Sequence, residues 1–120
     1  MANIIPFSFR GALFQGQHDF ANSGGNTFKL SLYTANPYTT ASTVYTTTSE
    51  VSSGGGSNYS VKTLTNLGVA SSTAVASVDF DNVTYSSATF TAAFAAIYNA
   101  DTVDSVANRL VVVLDFGGNK

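Results

Sequence analysis

The sequence predicts an all-β fold, an antiparallel β-sandwich or jelly-roll-like domain over residues 1–120, with an N-terminal arm (1–9) and one short helix (10–16). Three observations carry this expectation. Short apolar stretches alternate with polar residues at a period of two, clusters of Gly, Asn, Asp and Ser separate them, and nothing resembles the strand–helix alternation that builds a parallel sheet. Only 10% of the residues are charged, yet 44% are apolar and the net charge is −2. Disordered chains combine few apolar residues with strong charge, so this chain is expected to fold.

The helix rests on Phe9, Leu13 and Phe14, whose spacing gives one turn-and-a-half an apolar edge. Ser8 is placed to cap it and Gly16 to end it. After the turn-rich residues 21–26, Phe28, Leu30 and Leu32 alternate with Lys29, Ser31 and Tyr33, the pattern of a half-buried strand. Asn36-Pro37 breaks it, and Thr43 to Thr47 reads as an edge strand or an ordered loop. Residues 52–58, SSGGGSN, have the most flexible composition in the chain and predict a mobile loop. Strands are expected at Tyr59 to Thr65 and at Ala74 to Phe80, with Asp81-Asn82 as a turn before Val83-Thr84-Tyr85. Ala88 to Tyr98 is expected as a strand with Phe90, Ala92, Phe94, Ala96 and Tyr98 on one side, and residues 99–105 as a loop. The closing segment, Arg109 to Phe116, holds five consecutive apolar residues, too few to span a bilayer and too β-branched for a helix. Without alternation, both of its faces must be covered.

Composition excludes several functions. The five basic residues, Arg10, Lys29, Lys62, Arg109 and Lys120, are scattered, so no clustered cations mark a nucleic-acid site. Cysteine is absent, which removes disulfides and thiol chemistry. No segment has the roughly 20 apolar residues of a membrane span, and the N-terminal residues make a poor secretion signal because Pro6 and Ser8 interrupt them.

Possible chemistry is sparse. His18, the single histidine, adjoins Asp19 and could act as a general base, but neighbours in sequence do not make a dyad, and a polar loop is the simpler reading. Asp79 and Asp81 would project to the same side of an extended chain, as calcium ligands or paired carboxylates do; Asp81-Asn82 equally forms a turn that bonds its own backbone, which is favoured. Asp101 and Asp104 are expected to be solvated. The glycines at 54–56 and 117–118 match no phosphate-binding pattern, and no serine lies in a GxSxG elbow. Two glycosylation triplets, at Asn58 and Asn82, are expected by chance in so Ser/Thr-rich a chain. The six tyrosines could stack on sugars, but most lie in or beside predicted strands, where cross-strand packing explains them. Catalytic residues, cofactor and metal ligands are therefore not assigned.

Four stretches in order, HDF with TFKLSLYT, residues 46–69 (TTTSEVSSGGGSNYSVKTLTNLGV), residues 78–99 (VDFDNVTYSSATFTAAFAAIYN) and NRLVVVLDFGGNK, resemble a family of small virion-associated proteins of tailed bacteriophages. The resemblance covers most of the chain from His18 onward. It departs at residues 99–105, where relatives tend to have a short Ser/Lys turn, and at Lys120, where relatives usually continue into a further strand. It implies a non-enzymatic virion protein, assembled in the host cytoplasm, whose partners are the major capsid protein or another virion protein and copies of itself, a trimer being one arrangement that would serve. A capsid decoration (cement) role is the leading expectation, a tail, baseplate or fibre component the alternative, and a carbohydrate-binding module or an enzyme ranks lower. Neither nucleic acid nor membrane is expected as a partner. The expected interface comprises Ile4, Ile5, Phe7 and Phe9 of the arm with Leu110, Val112 and Leu114 of the last strand, and a missing final strand would leave a sheet edge open to a neighbour.

Overall fold

In the computed structural model, which describes residues 3–54 and 56–120, the alternating run Phe28–Tyr33 forms strand β1 at the centre of an antiparallel sheet. Lys62–Thr63 (β2) flanks it on one side and Phe94–Asn99 (β5) on the other, followed by Arg109–Asp115 (β6), giving the order β2-β1-β5-β6. A second, two-stranded sheet pairs Asn66–Ser71 (β3) with Ala76–Phe80 (β4). The chain is thus mostly β with one short helix, α1, at Phe7–Phe14.

The helix begins three residues earlier than expected, so Phe7 and Phe9 belong to it and not to the arm. Pro6 occupies the N-cap, where its missing amide costs nothing, and Ser8 does not cap; its hydroxyl instead donates to the Ser42 carbonyl. The helix ends as expected: Gly16 takes a positive φ of 66° and its amide bonds the Leu13 carbonyl.

Each strand face has its own cover, and β1 is not half-buried. On one face Phe28 and Leu32 pack with Tyr59, Phe20, Leu64 and Ala95. On the other, Ser31 and Tyr33 are wholly enclosed with Tyr38, Ala96, Leu110 and Val113, because the segment from Asn36 to Glu50 folds over them. This segment forms only isolated bridges, Val44 with Arg109 and Glu50 with Tyr33. The polar alternation of β1 therefore marks a face that buries hydroxyls with their partners: Ser31 Oγ donates to Tyr33 Oη at 2.9 Å, and Tyr33 Oη bonds the Thr46 carbonyl at 2.8 Å.

The unalternating run of β6 is a strand with one extra residue. Tyr98 opposes Leu110 while Ile97 opposes Val112, so Val111 has no opposite number. This bulge turns Val111 and Val112 toward the Phe20–Phe28 cluster in succession, while Leu110 and Val113 fill the opposite core. One face is closed by the chain itself; on the other Val111 is buried, while Val112 and Leu114 remain partly exposed.

Three other expectations change. The strand expected at Tyr59 to Thr65 shrinks to Lys62–Thr63, because Tyr59 turns inward to bond the β1 amide of Leu32. The strand expected from Ala88 starts only at Phe94. β3 was not expected; Asn66 and Gly68 (φ 102°) disguise it, and they mark its own irregularity in register. In the loop expected to be mobile, residue 55 lies outside the described residues, and Ser57 is buried with its hydroxyl on the Ser52 carbonyl.

Candidate functional site

The principal concavity lies where the small sheet stands off the large one. Its floor is Ile97 of β5 with Val111, Val112 and Leu114 of β6. One wall is Phe9 and Leu13 of α1 with Ile5 before it; the other is Phe20 with Val69, Val78 and Phe80 of the β3–β4 hairpin. The cleft measures about 680 Å³ and every lining residue is apolar. It has the size of a small-molecule pocket but lacks the few convergent polar groups that orient such ligands. What it offers is shape and unsatisfied apolar surface.

Of the residues expected at an interface, Ile5, Phe9, Val112 and Leu114 come together here. Phe7 is exposed on the helix, with the Arg10 guanidinium 4.8 Å from its ring centre. Ile4 and Leu110 are elsewhere. Ile4 pairs with Val113 along the outer edge of β6, and Leu110 is 0% exposed, so both are held by their own chain. Ile5, Leu13, Val69 and Val78 of the cleft lining are exposed, and outside the lining Phe14 is 94% exposed.

The sheet edge expected to lie open is largely occupied. Along β6, Val113 exchanges two backbone hydrogen bonds with Ile4, and Leu110 N–H donates to Thr43 O while Tyr45 N–H donates to Asn108 O. Beyond β2, the edge of β1 is met by Val51 N–H on Leu32 O and Thr34 N–H on Ser49 O. Edges blunted in this way are poor templates for another chain.

A tyrosine–carboxylate cluster wraps the β1 edge. Glu50 accepts hydrogen bonds from Tyr45 Oη and, at 3.1 Å, from Tyr59 Oη, so one carboxylate joins the covers of both sheet faces. Burial pushes the Tyr33, Tyr45 and Tyr59 hydroxyls well above the usual phenol range, with the Glu50 charge adding to the effect. Burial and then Glu50 push Tyr85 up to about 12. The Tyr33, Tyr45 and Tyr59 phenols stay protonated as donors, while the Tyr85 hydroxyl is buried with no hydrogen-bond partner among the described residues. None of the six tyrosines is left exposed for sugar stacking; four are buried and Tyr45 and Tyr85 are half-buried.

Gln17-His18-Asp19 is a loop leaving the helix, as expected, but His18 turns inward from it. It is buried among Phe9, Phe20 and Phe28, with ring centres 4.9, 6.3 and 6.4 Å away. Asp19 does not bond it; that carboxylate accepts from the Ala21 amide. Asp101 is likewise more than solvated, accepting from Asn26 Nδ2 and from the Thr27 amide. Asp104 lies 4.0 Å from the Arg109 guanidinium and is 71% exposed, an ion pair of little energetic weight. Asp79 and Asp81 each accept from the next residue's amide, Phe80 and Asn82, but Asp79 lies within β4 and the turn expected at Asp81-Asn82 falls instead at Ser86-Ser87. Among the described residues no group of three His, Cys, Asp or Glu side chains is placed to hold a metal ion. No helix among them is long and apolar enough to cross a membrane.

No protein-family model, curated protein or solved structure matches this chain.

Proposed function

We propose that this protein is a non-enzymatic structural component of a tailed-bacteriophage particle, a capsid decoration (cement) protein that associates with copies of itself and clamps adjacent major capsid subunits. The observation that carries the reading is the apolar cleft, whose lining residues Ile5, Leu13, Val69 and Val78 are exposed. Contiguous apolar surface of this kind marks a place where another surface docks. The sequence resemblance supplies the virion setting. On this reading the two antiparallel sheets are layers of a sandwich related to the jelly roll, and the cleft between them is where a neighbouring virion subunit seats. Asp19, Asp101 and His18 are engaged with loops of their own chain, and the cleft is the surface this reading assigns to docking.

The test is stoichiometry in purified virions together with docking-face variants. A cement protein is present at copy numbers comparable with those of the coat subunits, and Leu13→Ser with Phe14→Ser lowers its occupancy. A few copies per particle would move the assignment to the tail or baseplate. Absence from particles would sink it.

A further inference from the structure

The His18 site is built around an ordered relay of amides. Asn99, fully buried at the end of β5, uses its side-chain carbonyl to accept the Asp101 amide at 3.0 Å. That fixes the Asn99 Nδ2 group toward two acceptors, Asn26 Oδ1 at 3.0 Å and His18 Nδ1 at 3.1 Å. His18 Nδ1 must therefore be the unprotonated nitrogen, and the proton of the neutral ring sits on Nε2. Nε2 is buried, has no hydrogen-bond partner among the described residues, and belongs to a ring packed by Phe9, Phe20 and Phe28.

A second proton on this ring has no acceptable place. An Nδ1–H would meet the Asn99 Nδ2 donor head on. Turning the Asn99 amide over would relieve that contact, but would then set its NH2 against the Asp101 amide and its oxygen against Asn26 Oδ1. Asn26 cannot turn in response without losing the Asp19 amide and Asp101 carboxylate that it bonds.

No carboxylate among the described residues bonds the ring from any element around it. α1 and β1 present phenylalanines, β5 presents Asn99, and β6 contributes the Arg109 cation, whose own partner is Asp104. Asp19 and Asp101 are turned to backbone amides of the same loop. Burial, and then Arg109, lower the His18 pKa below its ordinary value near 6.5.

We propose that His18 is an acid-sensing latch: protonation of its ring breaks the His18–Asn99–Asn26 relay and releases Phe9 and Phe20, one from each wall of the apolar cleft. The inference does not rest on the virion reading. Its sign follows from linkage. The unfolded chain takes up this proton first as pH falls through the ordinary histidine value, so the stability His18 lends is present above that value. It is lost progressively below it, until the folded ring itself titrates. Within that window the group shifts the unfolding equilibrium by up to about tenfold per pH unit.

Because the chain has one histidine, its ring signals can be followed by nitrogen-resolved NMR without ambiguity. The expected result is the Nε2–H tautomer at neutral pH and a midpoint below 6.5. The Asn99 side-chain amide and the Phe9 and Phe20 rings should shift with that same midpoint, and binding of an apolar fluorescent dye should rise. His18→Asn, whose carbonyl can replace Nδ1 as acceptor, should remove the acid-dependent dye binding. An Nδ1–H tautomer, a midpoint at or above the ordinary value, an Asn99 amide that does not respond, or unchanged acid-dependent dye binding in His18→Asn overturns the proposal. If that variant does not fold, the wild-type titration decides alone.

Discussion

Ile4 and Val113 exchange two backbone hydrogen bonds, Ile4 N–H to Val113 O at 2.9 Å and Val113 N–H to Ile4 O at 2.8 Å, so the start of the chain closes the outer edge of its last strand. The sequence predicts a detachable arm here. The structure shows a segment anchored by this pair, by a fully buried Pro6 and by Phe7 N–H on the Thr40 carbonyl.

Deleting residues 2–7 is therefore expected to destabilise the fold, by about 2–4 kcal/mol from the lost hydrogen bonds and apolar burial. Chemical denaturation of the truncated chain measures this. A stability equal to that of the full chain would show that the edge pairing contributes nothing.

Tyr59→Phe removes the hydroxyl that accepts from the buried amide of Leu32, along with one donor to Glu50. The expected loss is about 1–3 kcal/mol, the cost of leaving a buried donor unsatisfied. Amide exchange at Leu32 should speed up selectively, and unchanged protection there would contradict the assignment.

Phe14→Ser should leave stability within about 0.5 kcal/mol, since the ring is 94% exposed and contributes little to the chain's own core. Its effect should appear in association, as a lower sedimentation coefficient at high concentration or weaker attachment to particles. A variant that unfolds would mean that the ring packs within its own chain.

Gly25→Ala is expected to cost about 1–3 kcal/mol. A Cβ at this position would overlap the Ala21 carbonyl oxygen and stand 2.9 Å from the Asp19 carbonyl, both backbone atoms that cannot simply rotate away. Thermal unfolding of the purified variant gives the answer, and an unshifted midpoint would mean that the loop relaxes freely.

Alkaline pH should unfold the protein through its tyrosines. Burial raises the pKa of all six in the folded chain, so their contribution is complete below the ordinary value of 10.0 and is lost as pH rises toward the folded values, about 12 for Tyr85. A spectroscopic titration should show tyrosinate appearing together with unfolding. Ionisation near the ordinary value with the fold intact would argue against enclosed phenols.

Local pattern carried β1, β4 and β6 because period-two alternation and β-branched runs are properties of neighbouring residues. It did not reveal that Ser31 and Tyr33 face a second core, since their cover comes from a segment whose order depends on long-range bonds to Thr46 and Glu50. Nor did it reveal β3, where Gly68 interrupts the run and pairing with β4 decides the conformation. The cleft was half legible. Ile5, Phe9, Val112 and Leu114 stand out as apolar in the sequence, but their meeting with Val69 and Val78 depends on how far the hairpin stands from the sheet. Glu50 gave one faint signal, as an isolated carboxylate in a chain with few charges and many tyrosines.

The β3–β4 hairpin has a consequence for experiment. Two strands alone are marginal in water, and the tip at Ser72 to Val75 is closed by a backbone hydrogen bond, Ser72 N–H to Val75 O at 2.7 Å. A protease of broad specificity should cut there first, splitting the chain into two fragments that stay associated through the large sheet. Whatever fills the space beneath the hairpin would slow that cut, so the nicking rate reports occupancy before the occupant has been identified.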